Sequence, residues 1–186
     1  MSYLHTPAES SLYAADEAAM GYVANYTKVF ALAPEAYLAW RRLSKAVREG
    51  MDLRRYELVT LAAARRIGSA YCSLAHAKML RENFYDHETL HAIVVNHHAA
   101  GLDPVDVAII DFADLVAADP TKVTAADTEK LRAHGLSDQD IFQIILTVNI
   151  RRFFSGTLDA AGADPDEVYL SLDPALRAEL PSRPAA

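Results

Sequence analysis

The sequence predicts an all-α protein, and three observations support that fold class. Glycine is scarce, with 7 in 186 residues. No segment alternates between apolar and polar residues as a strand would. Apolar residues recur instead at helical spacing, between capping residues and turns. Because a chain of this length can bury a large core without metal or disulfides, we expect one domain over residues 1–186. It would be a compact multi-helix bundle with a core over about 20–160 and a C-terminal extension over 163–186.

Cap and turn residues predict the helices of the N-terminal half. One helix begins at Pro34, a residue suited to the first helical turn, and ends before Gly50. Asp52 can cap the next helix, which runs to Gly68. Ser69 then stands where it can cap a third helix.

Four further helices are predicted in the C-terminal half, at about residues 87–99, 104–118, 125–134 and 138–160. The last two begin with capping-box spacing, from Thr124 to Asp127 and from Ser137 to Asp140. The final helix is apolar on nearly every face, so we expect it in the core, between subunits, or both. The tail after Gly162 should form short helical pieces and a loose end.

Charge and composition argue against several classes of function. The formal net charge of −7 argues against nucleic acid as a partner. No apolar run approaches the ~20 residues that span a bilayer, and the N-terminus does not resemble a secretory signal, so we expect a cytoplasmic protein. No glycine-rich phosphate loop or dinucleotide fingerprint occurs, so no organic cofactor is expected. Most of the paired arginines are expected to be solvated or at an interface: Arg41 and Arg42, Arg54 and Arg55, Arg65 and Arg66, Arg151 and Arg152.

Cys72 is the one residue whose surroundings predict nucleophilic chemistry. It is the only cysteine, which rules out an internal disulfide. With Ser69 as N-cap, Cys72 falls in the first helical turn, where free N–H groups and the helix dipole favour an anion. His76 follows four residues later on the same face, with Cβ atoms about 5–6 Å apart. Cysteine and histidine can act as nucleophile and base. Glu57, on the preceding helix, joins them only if packing brings it there.

These residues resemble a known signature: Glu57, eleven residues, Ser69, two residues, Cys72, three residues, His76. The chain resembles the alkylhydroperoxidase D-like and carboxymuconolactone decarboxylase superfamily over about residues 20–160, and it looks most similar to the peroxidase-related branch. The resemblance implies a helical bundle that forms homo-oligomers. It also implies roles: Cys72 as the peroxide-reactive thiol, His76 as its hydrogen-bonding partner and Glu57 as the end of a proton relay.

Ser69 departs from that signature, because it stands where the family has its first cysteine. The internal dithiol therefore cannot exist, and a peroxidase cycle would need an external thiol reductant. The Ser69 hydroxyl can still cap the helix or hydrogen-bond a thiolate. For Tyr71, which lies inside the motif, two roles stay open: donation to a ligand, or aromatic packing.

Three functions are consistent with these residues. The leading hypothesis is an antioxidant, thiol-dependent hydroperoxide reductase that uses Cys72 with His76 and Glu57. One alternative is a carboxymuconolactone decarboxylase-like enzyme acting on a small carboxylate. The other is a binding protein without catalysis, in which Cys72 is a buried, inert thiol.

A second motif, His87-Glu88-x-x-His91, matches a zinc-hydrolase pattern, with His97 in the place of a third ligand. Two features weaken this hypothesis. Val94 stands where the extended motif has a turn-forming glycine, so a continuing helix would rotate His97 away from the other two histidines. No strand is predicted against which a substrate could align. We therefore expect a surface helix and no zinc.

Overall fold

Helices account for all regular structure over residues 2–182, the part of the chain that the computed structural model describes. The α-helices are α1 Tyr13–Met20, α2 Asn25–Phe30, α3 Pro34–Glu49, α4 Leu53–Ile67, α5 Ala70–Asn83, α6 His87–Asn96, α7 Pro104–Ala118, α8 Ala125–Ala133, α9 Asp138–Ala161 and α10 Pro174–Ala178. Short 3₁₀ helices span His97–Ala99, Pro120–Lys122 and Glu167–Ser171. The predicted all-α class is confirmed, and α1 and α2 are additional to the predicted helices.

Local capping explains most of these boundaries. The Asp52 side chain accepts a hydrogen bond from the Arg55 backbone N–H at 3.0 Å and starts α4. Both predicted capping boxes are present, at the starts of α8 and α9. Gly68 ends α4 in the left-handed region, with φ of 88°, and so reverses the chain into α5.

The prediction of one helix over 87–99 is wrong in its last turn. α6 ends at Asn96, whose backbone is extended, with φ of −157° and ψ of 92°. The Asn96 side chain accepts a hydrogen bond from the His98 backbone N–H at 3.2 Å, which competes with continuation of the helix. His97 and His98 therefore lie in a 3₁₀ turn that has its own direction.

The core is built around α4, which packs against α5, α7 and α9. Most of the side chains of α4 are buried. Asp106 of α7 fixes one end of this helix, because its buried carboxylate accepts hydrogen bonds from Arg54 at 2.7 Å and Arg55 at 2.9 Å. The prediction that most of the paired arginines are solvated or at an interface is therefore wrong for these two, which bind a buried carboxylate.

One face of helix α9 packs into the core, and other apolar side chains of this helix are exposed. Ile144, Val148 and Leu158 are buried, whereas Phe142 and Phe153 are exposed.

The tail after Gly162 contains the predicted short helical pieces, and Leu172, Leu176 and Leu180 of this tail pack onto the core. Residues 183–186, the end of the predicted loose tail, lie outside the described residues. Within residues 2–182, no helix is both long and apolar enough to span a bilayer.

Candidate functional site

Glu57 and His76 meet between α4 and α5. The left-handed turn at Gly68 makes the two helices neighbours, and Glu57 Oε2 lies 2.5 Å from His76 Nδ1. The Glu57 side chain is almost fully buried, and that of His76 is largely so. The sequence left this contact open because it depends on how two helices pack.

The electrostatics of this pair fix its protonation. Burial alone would raise the pKa of Glu57, but the His76 ring, together with the charges of Arg151 and Arg48, holds that pKa below its usual value. Burial, reinforced by the Arg151 charge, lowers the pKa of His76 despite the neighbouring carboxylate. At neutral pH the carboxylate is ionised and the ring neutral. An ionised carboxylate can only accept, so Nδ1 donates to Glu57 and Nε2 keeps its lone pair.

Cys72 lies in the first turn of α5 with only 1% of its surface exposed. Its sulfur has a charged neighbour, because Nη1 of Arg151 on α9 donates to Sγ at 3.5 Å. A guanidinium hydrogen bond of this kind is stronger to a thiolate than to a neutral thiol. The sulfur thus lies at a helix start and beside a guanidinium.

Sequence reasoning missed Arg151, which it grouped with solvated arginines. The side chain is 4% exposed, and its guanidinium also lies over the Phe154 ring, 5.4 Å from the ring centroid. Its Nε atom is buried and has no hydrogen-bond partner among residues 2–182. One signal was available: Arg151 follows a long apolar run, where a charge must find a partner in the core or a ligand.

The Ser69 side chain does not cap α5, contrary to the sequence prediction. Ser69 occupies the N-cap position with an extended backbone, but its hydroxyl donates to Asp159 Oδ1 of α9 at 3.0 Å. A capping hydroxyl would accept a hydrogen bond from a backbone N–H of the first turn, whereas this hydroxyl is oriented to donate to the carboxylate on α9. Ser69 therefore ties the start of α5 to α9.

Tyr71 packs against neighbouring aromatic rings, and its hydroxyl forms hydrogen bonds within the protein. It donates to the carboxylate of Asp166 in the C-terminal extension and accepts a hydrogen bond from the Tyr26 backbone N–H. Its ring meets those of Tyr26 and Tyr169 edge to face. Burial, with the charges of Tyr169 and Asp166, raises the Tyr71 pKa. Of its two predicted roles, these contacts match packing.

Cys72 and His76 line one open cleft of about 1110 Å³, together with Arg151. One wall is aromatic, because Trp40 stacks on Phe154 with ring centroids 4.2 Å apart. The rim is mostly basic, and its charged side chains are Arg41, Arg42, Lys45 and Arg48, with Asp16 and Glu49 as the acidic members. The cleft therefore offers an apolar surface, positive charge and a sulfur in one place.

The three histidines of the zinc-hydrolase pattern do not form a ligand set. His87 and His91 lie near each other on α6, with ring centroids 6.1 Å apart, and His87 faces Asp173 at 3.6 Å. His97 points elsewhere, to Asp111 of α7. The break at Asn96 explains this separation, whereas the sequence predicted a continuing helix.

Comparisons with known proteins agree with this fold. Residues 34–114 match the carboxymuconolactone decarboxylase family. Among solved structures, a peroxidase-related protein from Ralstonia eutropha, described as an alkylhydroperoxidase AhpD core, is 22% identical over 97% of this chain and 98% of that chain, with a TM-score of 0.82. A peroxidase-related protein from a Silicibacter species is 22% identical over 91% and 94% of the two chains, with a TM-score of 0.82.

A third similar structure is the debrominase Bmp8 in complex with 2,3,4-tribromopyrrole. It is 15% identical over 96% of this chain and 97% of that chain, with a TM-score of 0.75. No curated protein sequence matches the chain significantly. At these identities the structures show a shared fold, and the family match covers the helices that carry Glu57, Cys72 and His76. The chain thus shares the fold of these alkylhydroperoxidase-like structures, and its residues 34–114 match the carboxymuconolactone decarboxylase family.

Proposed function

We propose that the protein is a thiol-dependent hydroperoxide reductase with Cys72 as its nucleophile. The observation that carries this proposal is the hydrogen bond from Arg151 to Cys72 Sγ, in the same cleft as the ring that Glu57 orients. A buried thiol held only among apolar side chains would be inert. A guanidinium on the sulfur and a neutral, oriented imidazole one helical turn away are the groups that peroxide reduction requires.

In the first step the thiol proton of Cys72 passes to His76 Nε2, and the sulfur attacks the terminal oxygen of the hydroperoxide. The O–O bond breaks, its electron pair leaves with the alkoxide, and the His76 imidazolium returns a proton to give an alcohol. Sulfur is oxidised by two electrons to sulfenic acid, and the peroxide is reduced by two. Glu57 stabilises the transient imidazolium, and Arg151 stabilises the thiolate.

The second half of the cycle needs an external thiol, because no second cysteine exists in the sequence. The external thiol attacks the sulfenic acid, releasing water and leaving a mixed disulfide. A second thiol molecule then frees Cys72 and leaves as an external disulfide. The Ser69 hydroxyl, bonded to Asp159, cannot perform this step.

The substrate we propose is an organic hydroperoxide with an aromatic or bulky apolar body. The wall formed by Trp40 and Phe154 supports this choice, since stacked rings bind flat apolar groups. The Bmp8 complex shows that a protein of this fold takes a small aromatic ring as a ligand. Cumene hydroperoxide is the matching probe, and hydrogen peroxide is the control that lacks the apolar body.

The test combines peroxide consumption with mass spectrometry of the native protein. With cumene hydroperoxide and an excess of a small thiol, the wild-type protein should turn over, and a sulfenic-acid trap should label Cys72. Cys72→Ser should abolish both signals. Ser69→Cys should form an internal disulfide on oxidation, because residues three apart at a helix start lie within disulfide range. An unlabelled Cys72 in folded wild-type protein would contradict the proposal.

A second candidate is chemistry on a small carboxylate, as in a carboxymuconolactone decarboxylase. The basic rim of the cleft and the unpartnered Nε of Arg151 favour an anionic ligand. In this case His76 would act as an acid–base catalyst, and Cys72 would be dispensable. Activity on a carboxylate substrate that survives Cys72→Ser but not His76→Gln would favour it. Tight carboxylate binding with no turnover would indicate a binding protein.

We also propose that the chain forms a homo-oligomer in solution. Phe142 and Phe153 of α9 are large apolar side chains that remain exposed in the single chain, and such residues are enriched in subunit interfaces. Light scattering coupled to size-exclusion chromatography should give a mass that is a multiple of 20.4 kDa. A monomer at all concentrations would contradict this.

A further inference from the structure

A second group of side chains converges at the opposite end of α6 from the zinc-hydrolase pair. It consists of His97 and His98 in the 3₁₀ turn and Asp111 on α7. Nε2 of His97 lies 2.8 Å from Asp111 Oδ1, and Nε2 of His98 lies 3.0 Å from the same oxygen. Ligand atoms of the three residues all lie within 4.8 Å of one another. None of them lines the cleft of Cys72.

The backbone makes this convergence possible. In a continuous α-helix, consecutive side chains diverge by about 100° and cannot share one partner. Here the extended backbone of Asn96 and its hydrogen bond to the His98 N–H start a new turn. The two imidazoles face the same oxygen, with ring centroids 4.3 Å apart.

The charges at this point favour a cation. Neutral imidazole nitrogens and a carboxylate oxygen are the donors that borderline divalent metals prefer. Asp114, on the same helix as Asp111, interacts electrostatically with both His97 and Asp111. Arg65 and Arg66 also interact with Asp114 and offset part of the negative charge.

We propose that His97, His98 and Asp111 form a binding site for a divalent transition metal, with Zn²⁺ as the representative ion. Two nitrogens and one oxygen hold the ion on one side, and water fills its remaining positions. The side chains of His98 and Asp111 are 58% and 48% exposed, so the ion can enter directly from solvent. Imidazole ligands select against Mg²⁺ and Ca²⁺, which prefer oxygen.

The site also joins two elements, because the histidines precede α7 and the aspartate belongs to it. A bound ion would link the 3₁₀ turn to the middle of α7, and the fold would gain stability by binding the ion in its folded state only. This proposal is independent of peroxide reduction, since its residues are far from Cys72 in the chain and absent from the cleft.

Titration calorimetry of untagged, metal-free protein with zinc chloride tests the site. The wild-type protein should bind one Zn²⁺ per chain, and Mg²⁺ should give no signal. Asp111→Asn and His98→Gln should each weaken zinc binding at least about tenfold, the effect of losing one ligand from a small set. The matched control is the double variant His87→Gln and His91→Gln, which should bind zinc as the wild-type protein does.

Two results would overturn the proposal. One is the absence of zinc binding to folded wild-type protein. The other is binding that survives Asp111→Asn and His98→Gln but disappears in the His87 and His91 variant, which would assign the metal to the α6 pair. Circular dichroism of each variant checks that it is folded. Co²⁺ absorption gives an independent readout, because its visible bands report nitrogen and oxygen ligands directly.

Discussion

The chain contains two histidine–carboxylate contacts of similar length in different surroundings. Glu57 and His76 are 2.5 Å apart in the interior, beside Arg151 and the sulfur of Cys72. His97 and Asp111 are 2.8 Å apart, and although the His97 side chain is only 16% exposed, that of Asp111 is 48% exposed, so water screens its charge. The distances alone do not distinguish the two contacts. Burial of the carboxylate does, because the Glu57 side chain is 4% exposed and its charge is screened much less.

The largest expected difference between the two contacts is in catalysis. Glu57→Gln should lower the rate of peroxide reduction by about 10²-fold or more, because the amide no longer orients His76 or stabilises its imidazolium. Asp111→Asn makes the same chemical change in the surface contact and should leave that rate unchanged. Steady-state rates with cumene hydroperoxide and a small thiol measure both. Equal losses in the two variants would mean that the effect is on folding.

The role of Arg151 should appear as a change in thiol reactivity. Arg151→Gln removes the guanidinium from Cys72 Sγ, so alkylation of Cys72 at neutral pH should slow about tenfold. Arg151→Lys should restore part of the rate, because it keeps the charge and loses the fork of donors.

Arg152→Gln is the control for this experiment, since Arg152 is exposed and donates to backbone carbonyls of α7. Iodoacetamide labelling across pH, followed by mass spectrometry, gives the rates. An unchanged alkylation rate in Arg151→Gln would remove the argument for an activated thiol.

The sequence predicts well those features that depend on neighbouring residues, such as the starts of helices. Asp52, Ser137 and Asp140 lie within a few residues of the groups that they cap, so the helices that they begin could be located from the sequence. The Glu57 position came from a resemblance to a family signature, because its contact with His76 depends on how two helices pack. The partner of Ser69 is 90 residues away, at Asp159.

The contact between Arg151 and Cys72 is the clearest case that the sequence could not predict, because the two residues are 79 positions apart. The apolar run that precedes Arg151 precedes Arg152 as well, so the sequence does not distinguish the two. Only the rotation of α9 directs one arginine to the sulfur and the next to the last carbonyls of α7. The helix prediction was wrong at His97 for a related reason. The His98 N–H donates a hydrogen bond to the Asn96 side chain and the chain changes direction there, whereas periodicity treats that segment as one helix.

Acidification should weaken the fold through the buried pair. The His76 pKa lies below its ordinary 6.5, so the unfolded chain takes up that proton first and the free energy of unfolding falls below about pH 6.5. The Glu57 pKa is also lowered, from 4.5, so its contribution is present above that pH and is lost on further acidification. Urea unfolding at several pH values should show this decline, with a shallower slope for His76→Gln. A slope identical to the wild type would contradict the assigned protonation.

The smallest expected effect is the change in the free energy of unfolding when the contact between His97 and Asp111 is removed in the absence of metal. His97→Gln should change the free energy of unfolding by less than about 1 kcal/mol in metal-free protein, because the Asp111 carboxylate is 48% exposed and screened by water, and His98 still lies 3.0 Å from it. Zinc should enlarge this difference. At a free concentration about 100 times its dissociation constant, the ion stabilises wild-type protein by about 2.7 kcal/mol, and His97→Gln should lose most of that gain. Thermal unfolding with and without zinc measures the two values. Equal stabilisation of both proteins would show that zinc binds elsewhere, and the surface contact would then be no more than a screened ion pair.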